Sequence, residues 1–242
     1  MRYGIFADVH SNLQALDAVL DAYRKEKIDQ YLCVGDVVGY GANPKECIEK
    51  IIALETVIVA GNHDWASVDL LSADYFNAYA KEAVLWTKRK LGDGDRRFLE
   101  SLKLVYKNQD LTLVHGTLHV PENFDYMVDA YSASMTFDLL ETSICFVGHY
   151  HIAGIFIKDK GDNISYNEDS KLDIKRHNRY IINVGSVGQP RDNNPDACYC
   201  IFDNDNKEAQ IKRISYDVHT AKKRIIAEGL PRFLGDRLIV GK

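Results

Sequence analysis

Short runs of apolar residues alternate with amphipathic segments along the N-terminal part of the chain. The runs have the length of β-strands and lie at residues 3–7, 31–34 and 57–60. Between the first two runs, residues 12–26 place leucine and valine at helical spacing, which predicts an amphipathic helix. A second helix is predicted after Asn43-Pro44, because Asn favours the N-cap and Pro favours the first helical position. This β-α-β-α-β order predicts parallel strands joined by right-handed crossovers.

The alternation stops in the next segment, which the pattern predicts to be largely helical. Helical spacing appears around residues 75–91 and 95–102, and Gly92-Asp93-Gly94 separates the two stretches. Because the segment is too long for a connecting loop, we expect a helical insertion at about residues 65–102. Further along, the pattern predicts a strand at residues 111–114, an irregular loop at 119–127 and a short helix at 131–140.

The second half of the chain is rich in predicted strands with little helix between them. These strands lie at residues 144–147, 152–158, 180–184, 197–202 and 209–214. The polar residues 161–170 predict a turn or exposed loop, and residues 217–228 predict a closing helix. We therefore expect a second sheet, partly antiparallel, that packs on the first. Since no repeat or linker interrupts the pattern, the chain is predicted to be a single mixed α/β domain over residues 1–242.

The composition limits the class of protein and its partners. Of the 242 residues, 46% are hydrophobic and 27% are charged, as in ordinary globular proteins. No apolar run approaches the length of a membrane span, and the charged N-terminus lacks a signal-peptide core, so we expect a cytoplasmic protein without a membrane partner. The five cysteines show no framework spacing, which argues against disulfides. The net charge of −5 disfavours broad electrostatic binding to nucleic acid, and nothing in the pattern indicates an oligomeric state.

Five short motifs place Asp, Asn and His side chains at the ends of apolar runs. The motifs are Asp8-Val9-His10, Gly35-Asp36, Gly61-Asn62-His63-Asp64, His115-Gly116 and Gly148-His149-Tyr150-His151. Together they contain five of the eight histidines, a grouping not expected of scattered surface residues. Because Asp, Asn and His bind hard or borderline divalent ions, the motifs indicate a metal site.

Two of the motifs contain a pair of candidate ligands two residues apart. Asp8 and His10 form one pair, and His149 and His151 form the other. On an extended segment, side chains at this spacing point to the same side. We therefore expect each pair to reach one metal centre without distortion of the backbone.

Three further candidate ligands each end a different predicted strand. These are Asp36, Asn62 and His115. The carboxyl ends of neighbouring strands converge on one crevice in an open α/β sheet, so these side chains are expected to meet the two pairs. Seven nitrogen and oxygen ligands are too many for one small cation and suit two ions that share a carboxylate. Asp36, on a central strand, is the expected bridge.

A two-metal site of this kind has recognisable chemistry. Two ions about 3.5–4 Å apart lower the pKa of a shared water and bind the oxygens of a phosphoryl group. The leaving group then requires a proton. His63 follows Asn62 in the same loop and is expected to point elsewhere, which makes it the candidate general acid.

The ordered set of motifs resembles the signature of the calcineurin-like metallophosphoesterases, and residues 183–191 resemble a segment near the end of the small prokaryotic members. The resemblance covers about residues 1–203 and implies an αββα sandwich, two packed mixed β-sheets flanked by helices. It implies that one metal ion is held by Asp8, His10, Asp36 and His151. It implies that the other is held by Asp36, Asn62, His115 and His149, with His63 protonating the leaving oxygen. This ligand chemistry is compatible with Mn, Fe, Zn, Ni or Co.

The chain departs from the protein serine/threonine phosphatase branch just after the predicted bridging carboxylate. That branch continues with an Asp that orients the catalytic His and an Arg that binds phosphate, where this chain has Gly39 and Tyr40. The departure weakens a protein-phosphatase assignment. It leaves open what orients His63, since the adjacency of Asp64 in the sequence does not establish a contact. Arg191 is the expected cation for a substrate phosphate, on the resemblance of its segment.

These expectations describe a dinuclear metal-dependent phosphoesterase that attacks phosphodiesters or phosphomonoesters with a metal-bridging hydroxide. The substrate class remains open between small phosphorylated molecules and nucleotides, including cyclic nucleotides and dinucleoside polyphosphates. Two alternatives are a catalytically silent scaffold, disfavoured by the complete ligand set, and a metal-dependent nuclease, disfavoured by the acidic charge. Tyr40, Phe124 and Tyr126 can stack on a nucleobase, but we expect them to serve packing.

Overall fold

Two mixed β-sheets of six strands each stack face to face and are flanked by eight α-helices. This computed structural model describes residues 1–242. The strands are β1 Arg2–Phe6, β2 Gln30–Cys33, β3 Val57–Ile58, β4 Val105–Lys107, β5 Thr112–Val114, β6 Ile144–Val147, β7 Gly154–Lys158, β8 Ile164–Asn167, β9 Lys171–Asp173, β10 Arg179–Asn183, β11 Ala197–Asp203 and β12 Glu208–Ile214. The helices are α1 Leu13–Tyr23, α2 Pro44–Ala53, α3 Asn62–Ala66, α4 Ala78–Lys90, α5 Asp93–Glu100, α6 Ala130–Leu139, α7 Val218–Ala227 and α8 Arg232–Val240. The predicted mixed α/β class and single domain are confirmed.

The first sheet has the strand order β3-β2-β1-β11-β12-β9. Strands β1, β2 and β3 pair in parallel, and α1 and α2 connect them, so the predicted β-α-β-α-β unit is confirmed. The side chain of Asn12 accepts a hydrogen bond from the N–H of Ala15 and caps α1. At α2 the side chain of Asn43 instead donates to Glu46, so only Pro44 plays its expected part there.

The second sheet has the strand order β4-β5-β6-β10-β7-β8. Strands β5, β6 and β10 are parallel and β7 is antiparallel, which confirms the predicted mixed character. The prediction that all late strands join this sheet is wrong. Strand β11 crosses to the first sheet and pairs antiparallel with β1, for example at Tyr3 and Phe202. A hydrophobic pattern identifies a strand but not its partner, because both sheets offer the same apolar inner face.

The main core lies between the inner faces of the two sheets. The rings of Tyr3 and Phe202 stack with their centroids 5.9 Å apart, and Phe146 from the second sheet lies 5.6 Å from Phe202. Helices α1 and α2 cover the outer face of the first sheet, and α6 covers that of the second. The packed layers hold the carboxyl ends of β1, β2 and β6 at one edge of the sandwich.

Two predictions in the second half missed regular structure. The segment expected to be an exposed loop, residues 161–170, contains the edge strand β8, and β9 follows it. The side chains of Ser165 and Tyr166 on β8 are exposed. An edge strand with an exposed face can carry polar residues, so its sequence pattern resembles that of a loop. Helix α8 was not predicted, although its residues Leu234 and Leu238 pack on Ala221 and Ile225 of the preceding helix α7.

The segment predicted to be a helical insertion contains α4, α5 and a 3₁₀-helix at Ala73–Tyr75. Helix α4 packs with α7 and α8 around a small third core that includes Trp86 and Leu234. Tyr40 belongs to this core and connects it to the loop after β2. The longest helix, α4, has 13 residues, and none of the helices has the length and apolar character needed to cross a membrane.

Candidate metal centre

The structure brings the seven predicted ligands together at the carboxyl edge of the sheets. Six of them are almost completely buried, and Asn62, at the start of α3, is partly buried. The Asp and His residues form three overlapping groups, and the ligand atoms within each group lie within 4.8 Å of one another. The groups are Asp8 with His10 and His151, His10 with Asp36 and His63, and Asp36 with His115 and His149. We call the seven predicted ligands the ligand cluster.

The backbone of the ligand cluster is not extended, contrary to the prediction. Asp8, His10, Asp36, His149 and His151 all have left-handed conformations, with φ between 48° and 66°. Such values are uncommon outside glycine and cost free energy, so the surrounding structure must enforce them. The loops after β1 and β2 lock each other, because the N–H of His10 donates to the carbonyl of Asp36 at 3.0 Å.

The left-handed turns also separate the pair His149 and His151, which was expected to serve one centre. The ring of His151 joins Asp8 and His10, whereas that of His149 joins Asp36 and His115. A residue in the left-handed region changes the chain direction, so the alternation of a strand no longer applies. The resemblance implied this division, whereas the strand geometry did not.

The first group brings two imidazole nitrogens together with a carboxylate. Nε2 of His10 and Nε2 of His151 lie 3.0 Å apart, and Oδ1 of Asp8 lies 3.2 Å from the latter. The Nδ1 atom of His10 is 3.1 Å from the carbonyl of Val38, and that of His151 is 2.6 Å from the carbonyl of Gln189. With the proton on Nδ1 in each ring, both Nε2 lone pairs face the same point. Two lone pairs cannot hydrogen-bond to each other, so the arrangement is suited to a cation.

The group of Asp36, His115 and His149 repeats this design on the other side of Asp36. The carbonyl of Val34 lies 2.6 Å from Nδ1 of His115, whose Nε2 is 3.3 Å from Oδ2 of Asp36. The same Asp36 oxygen is 3.6 Å from Nε2 of His10, which belongs to the first group. Asp36 therefore lies between this group and the group of Asp8, His10 and His151.

Three buried polar atoms of the ligand cluster test whether these residues suit metal ions. Oδ1 of Asp8, Oδ1 of Asn62 and Nε2 of His115 have no hydrogen-bond partner. Buried polar groups are normally satisfied, and unsatisfied ones mark an ion, water or catalytic role. Carboxylate oxygen, amide oxygen and imidazole nitrogen are ligand atoms that coordinate borderline divalent ions. The residues present therefore fit a metal centre.

Electrostatics within the ligand cluster favour positive charge. Burial lowers the pKa of His115, but Asp36 and Asp8 outweigh this effect and raise it to about 9. Burial would raise the pKa of Asp36, yet the neighbouring histidines, His115 first, keep it well below its usual range. The Asp36 carboxylate thus remains ionised and attracts either a proton or a metal ion to this point.

His63 lies beside the ligand cluster and is held by ring packing. Its imidazole contacts the rings of Tyr40, Phe76 and His10 at centroid distances of 4.4, 4.8 and 4.9 Å. Its Nδ1 atom is buried without a hydrogen-bond partner, and burial lowers its pKa to about 4. A Cβ at Gly39 would lie 2.4 Å from that Nδ1. The absence of a side chain at Gly39 therefore leaves room for the imidazole of His63.

Asp64 supports the backbone of the site. Its carboxylate accepts hydrogen bonds from the N–H groups of Asp36 at 2.8 Å, Gly61 at 3.0 Å and Val38 at 3.2 Å. Burial and the nearby charge of Asp36 raise the pKa of Asp64 to about 7. Asp64 thus fixes the loops that carry the ligands, whereas the ring packing described above holds the imidazole of His63.

The segment that resembles the family near its C-terminal end also supports the ligand cluster. The carbonyl of Asp8 accepts hydrogen bonds from the N–H of Gly188 and the hydroxyl of Ser186, both at 2.9 Å. The guanidinium of Arg191 donates to Gln189 Oε1 at 3.0 Å and to the Tyr40 hydroxyl at 3.4 Å. Arg191 makes no ion pair with a carboxylate, and it lines the open space above the ligand cluster.

That open space is a cleft of about 520 Å³. Its inner end contains His63, Arg191 and the ligands Asp36, Asn62, His149 and His151. Its rim includes Tyr75, Asn77, Glu122, Asn123, Asp125 and Tyr126, all exposed, which we call the outer cleft. Of these, only Tyr126 was considered from the sequence. Tyr75 gave no signal, because it lies in a segment whose pattern predicts a helix.

Comparison with known proteins places these observations in a family. A model of the calcineurin-like phosphoesterase superfamily domain matches residues 1–207. An uncharacterized protein of Methanocaldococcus jannaschii is 39% identical over 242 residues, which covers 98% of this chain and 97% of that protein.

Solved structures show the same architecture. The crystal structure of a metallophosphoesterase from Sphaerobacter thermophilus is 38% identical, with a TM-score of 0.90 over 100% of this chain and 99% of that chain. A hypothetical protein from Pyrococcus horikoshii OT3 has a TM-score of 0.81 at 19% identity, over 100% of this chain and 98% of that chain. The second likeness concerns the fold alone.

Proposed function

Because the chain belongs to the calcineurin-like phosphoesterase superfamily, we propose that it is a dinuclear metal-dependent phosphoesterase. Its substrates are phosphodiesters or phosphomonoesters of small or nucleotide-type molecules. The observation that carries the proposal is the convergence of unpartnered donor atoms on both sides of Asp36. A scaffold that had lost its metal would not need to preserve this arrangement.

In this proposal, Asp8, His10, Asp36 and His151 hold one divalent ion, and Asp36, Asn62, His115 and His149 hold the other. Bound there, the two ions would activate a water and neutralise negative charge on the phosphoryl oxygens. The backbone carbonyls of Val34, Val38 and Gln189 keep the imidazole rings in the tautomer that leaves Nε2 free. Nucleic acid is a poor substrate for a chain with a net charge of −5.

Two further side chains act on the substrate. Arg191 lines the cleft and has no carboxylate partner, so its guanidinium is available to the phosphoryl group. His63 lies in the same cleft, where the negative charge of a bound phosphoryl group favours protonation of its imidazole. The protonated imidazole then donates its proton to the leaving oxygen. Tyr40 positions both, because its ring packs on His63 and its hydroxyl contacts Arg191.

The substitution Asp36→Asn tests the proposal, since it removes one charge while preserving shape. We expect it to abolish metal-dependent hydrolysis of bis(p-nitrophenyl) phosphate and p-nitrophenyl phosphate. Elemental analysis of the purified protein, followed by assays with Mn, Fe, Zn, Ni and Co, identifies the metal first. Asp138→Asn, an exposed carboxylate on α6, is the matched control and should keep full activity. A wild-type protein that binds two ions yet hydrolyses neither ester contradicts the proposal.

A further inference from the structure

The outer cleft differs from the ligand cluster in both charge and chemistry. Arg191, at the inner end, is the only lysine or arginine that lines the cleft. The rim instead carries the carboxylates Glu122 and Asp125. These carboxylates would therefore repel a second phosphate at the rim, whereas they would not repel an uncharged group.

The aromatic side chains around the cleft divide by exposure. Tyr40 and Phe124 are only 6% and 5% exposed, so the expectation that they serve packing agrees with their burial. Tyr126 is 49% exposed, and its inner face stacks on His149 at a centroid distance of 4.1 Å. Tyr75 is 86% exposed and lies in the 3₁₀-helix Ala73–Tyr75. Two aromatic rings are thus available to a ligand in the cleft.

We propose that the outer cleft is a nucleoside subsite in which the ring of Tyr75 stacks on the nucleobase. The preferred substrate is then a nucleotide ester with a single phosphoryl group between the nucleoside and the leaving group. This inference rests on the proposed function for the position of that phosphoryl group. Base stacking on an exposed aromatic ring tolerates any base, because each base has a π-face.

The polar side chains of the outer cleft suit a nucleoside. Asn77 uses its Oδ1 to cap α4, which leaves its NH₂ group free to donate. Glu122 and Asp125 are exposed acceptors without an ion-pair partner, and such groups bind ribose hydroxyls and exocyclic amines. From its inner end to its rim, the cleft offers one cation for one phosphoryl group, and then hydrogen-bond acceptors and aromatic rings. This order matches the order of the groups in a nucleoside monophosphate ester. A dinucleoside polyphosphate would place extra anionic groups beside these carboxylates.

Two model substrates isolate the contribution of the nucleoside. Thymidine 5′-(p-nitrophenyl phosphate) and methyl p-nitrophenyl phosphate share the leaving group and the charge of the diester. We expect the wild-type protein to have the higher kcat/KM for the nucleoside ester. Tyr75→Leu should lower kcat/KM for the nucleoside ester by about five- to tenfold and leave the methyl ester unchanged. Tyr75→Phe, which keeps the ring, should behave as the wild type.

The matched control is Tyr131→Leu on α6, because Tyr131 is 74% exposed but does not line the cleft. Tyr131→Leu should leave kcat/KM unchanged for both substrates. Equal slowing of both esters by Tyr75→Leu, or a wild type without preference for the nucleoside ester, overturns the subsite. If neither ester is hydrolysed with any metal, the proposed function fails by itself. In that case, calorimetry with thymidine 5′-monophosphate tests the subsite separately. The subsite predicts that Tyr75→Leu binds this nucleotide more weakly than the wild type does, and equal binding overturns it.

Discussion

The ligand cluster and the outer cleft share one opening but differ in how they are held. In the ligand cluster, residues in left-handed conformations are fixed by backbone hydrogen bonds between loops that follow different strands. In the outer cleft, the exposed side chains of Tyr75, Glu122 and Asp125 project from short 3₁₀ turns and a loop. The difference indicates that the chemistry depends on rigid geometry, whereas substrate selection depends on side chains that can change at small structural cost.

The largest effect is expected when one methyl group is added beside the ligand cluster, at Gly61. A Cβ at Gly61 would lie 2.0 Å from Oδ1 of Asp36 and 2.4 Å from its backbone nitrogen. We expect Gly61→Ala to displace Asp36 and to abolish both metal binding and hydrolysis. Metal content by elemental analysis, together with circular dichroism to verify folding, measures the effect. Retention of two ions per chain would show that the cluster is less rigid than we infer.

The matched control for Gly61→Ala is Gly94→Ala in α5. A Cβ at Gly94 meets no atom within 4 Å. Because alanine loses less entropy than glycine in a helix, this variant should gain up to about 1 kcal/mol of unfolding free energy. Its metal content and activity should equal those of the wild type.

An intermediate effect is expected where the cluster meets His63. Gly39 has a φ of 96°, and a Cβ there would meet the imidazole of His63. We expect Gly39→Ala to keep the metal ions but to lower kcat by about 10²-fold through displacement of that ring. If His63 protonates the leaving group, phenyl esters should slow more than p-nitrophenyl esters. Equal slowing of the two would argue against the general-acid role.

A smaller effect is expected at the boundary between the two regions. Tyr40→Phe keeps the ring that packs on His63 and removes the hydroxyl that contacts Arg191 at 3.4 Å. Because one neutral partner of a charged group is lost, KM should rise about two- to fivefold while kcat stays unchanged. Steady-state kinetics with bis(p-nitrophenyl) phosphate separates the two constants. A fall in kcat alone would place the hydroxyl nearer to the reacting group than we propose.

The hydrophobic pattern predicted those elements that bury an apolar face. Strands β1, β2, β6 and β10 and helices α1, α2 and α7 lie close to their predicted positions, since burial selects the residue types. Strands β8 and β9 and helix α8 were not predicted. They lie at sheet edges or on the outside of the fold, where polar side chains are tolerated.

The sequence by itself determined which side chains can hold metal ions, because the ordered motifs place Asp, Asn and His at the ends of buried strands. Local spacing did not decide how these side chains divide. The division that the resemblance implied is enforced by the tertiary structure, since the left-handed turns at His149 and His151 depend on contacts with distant loops. The tertiary structure also decided that ring packing by Tyr40 and Phe76 holds His63. Neither arrangement follows from local spacing, because each one requires segments far apart in the chain to meet.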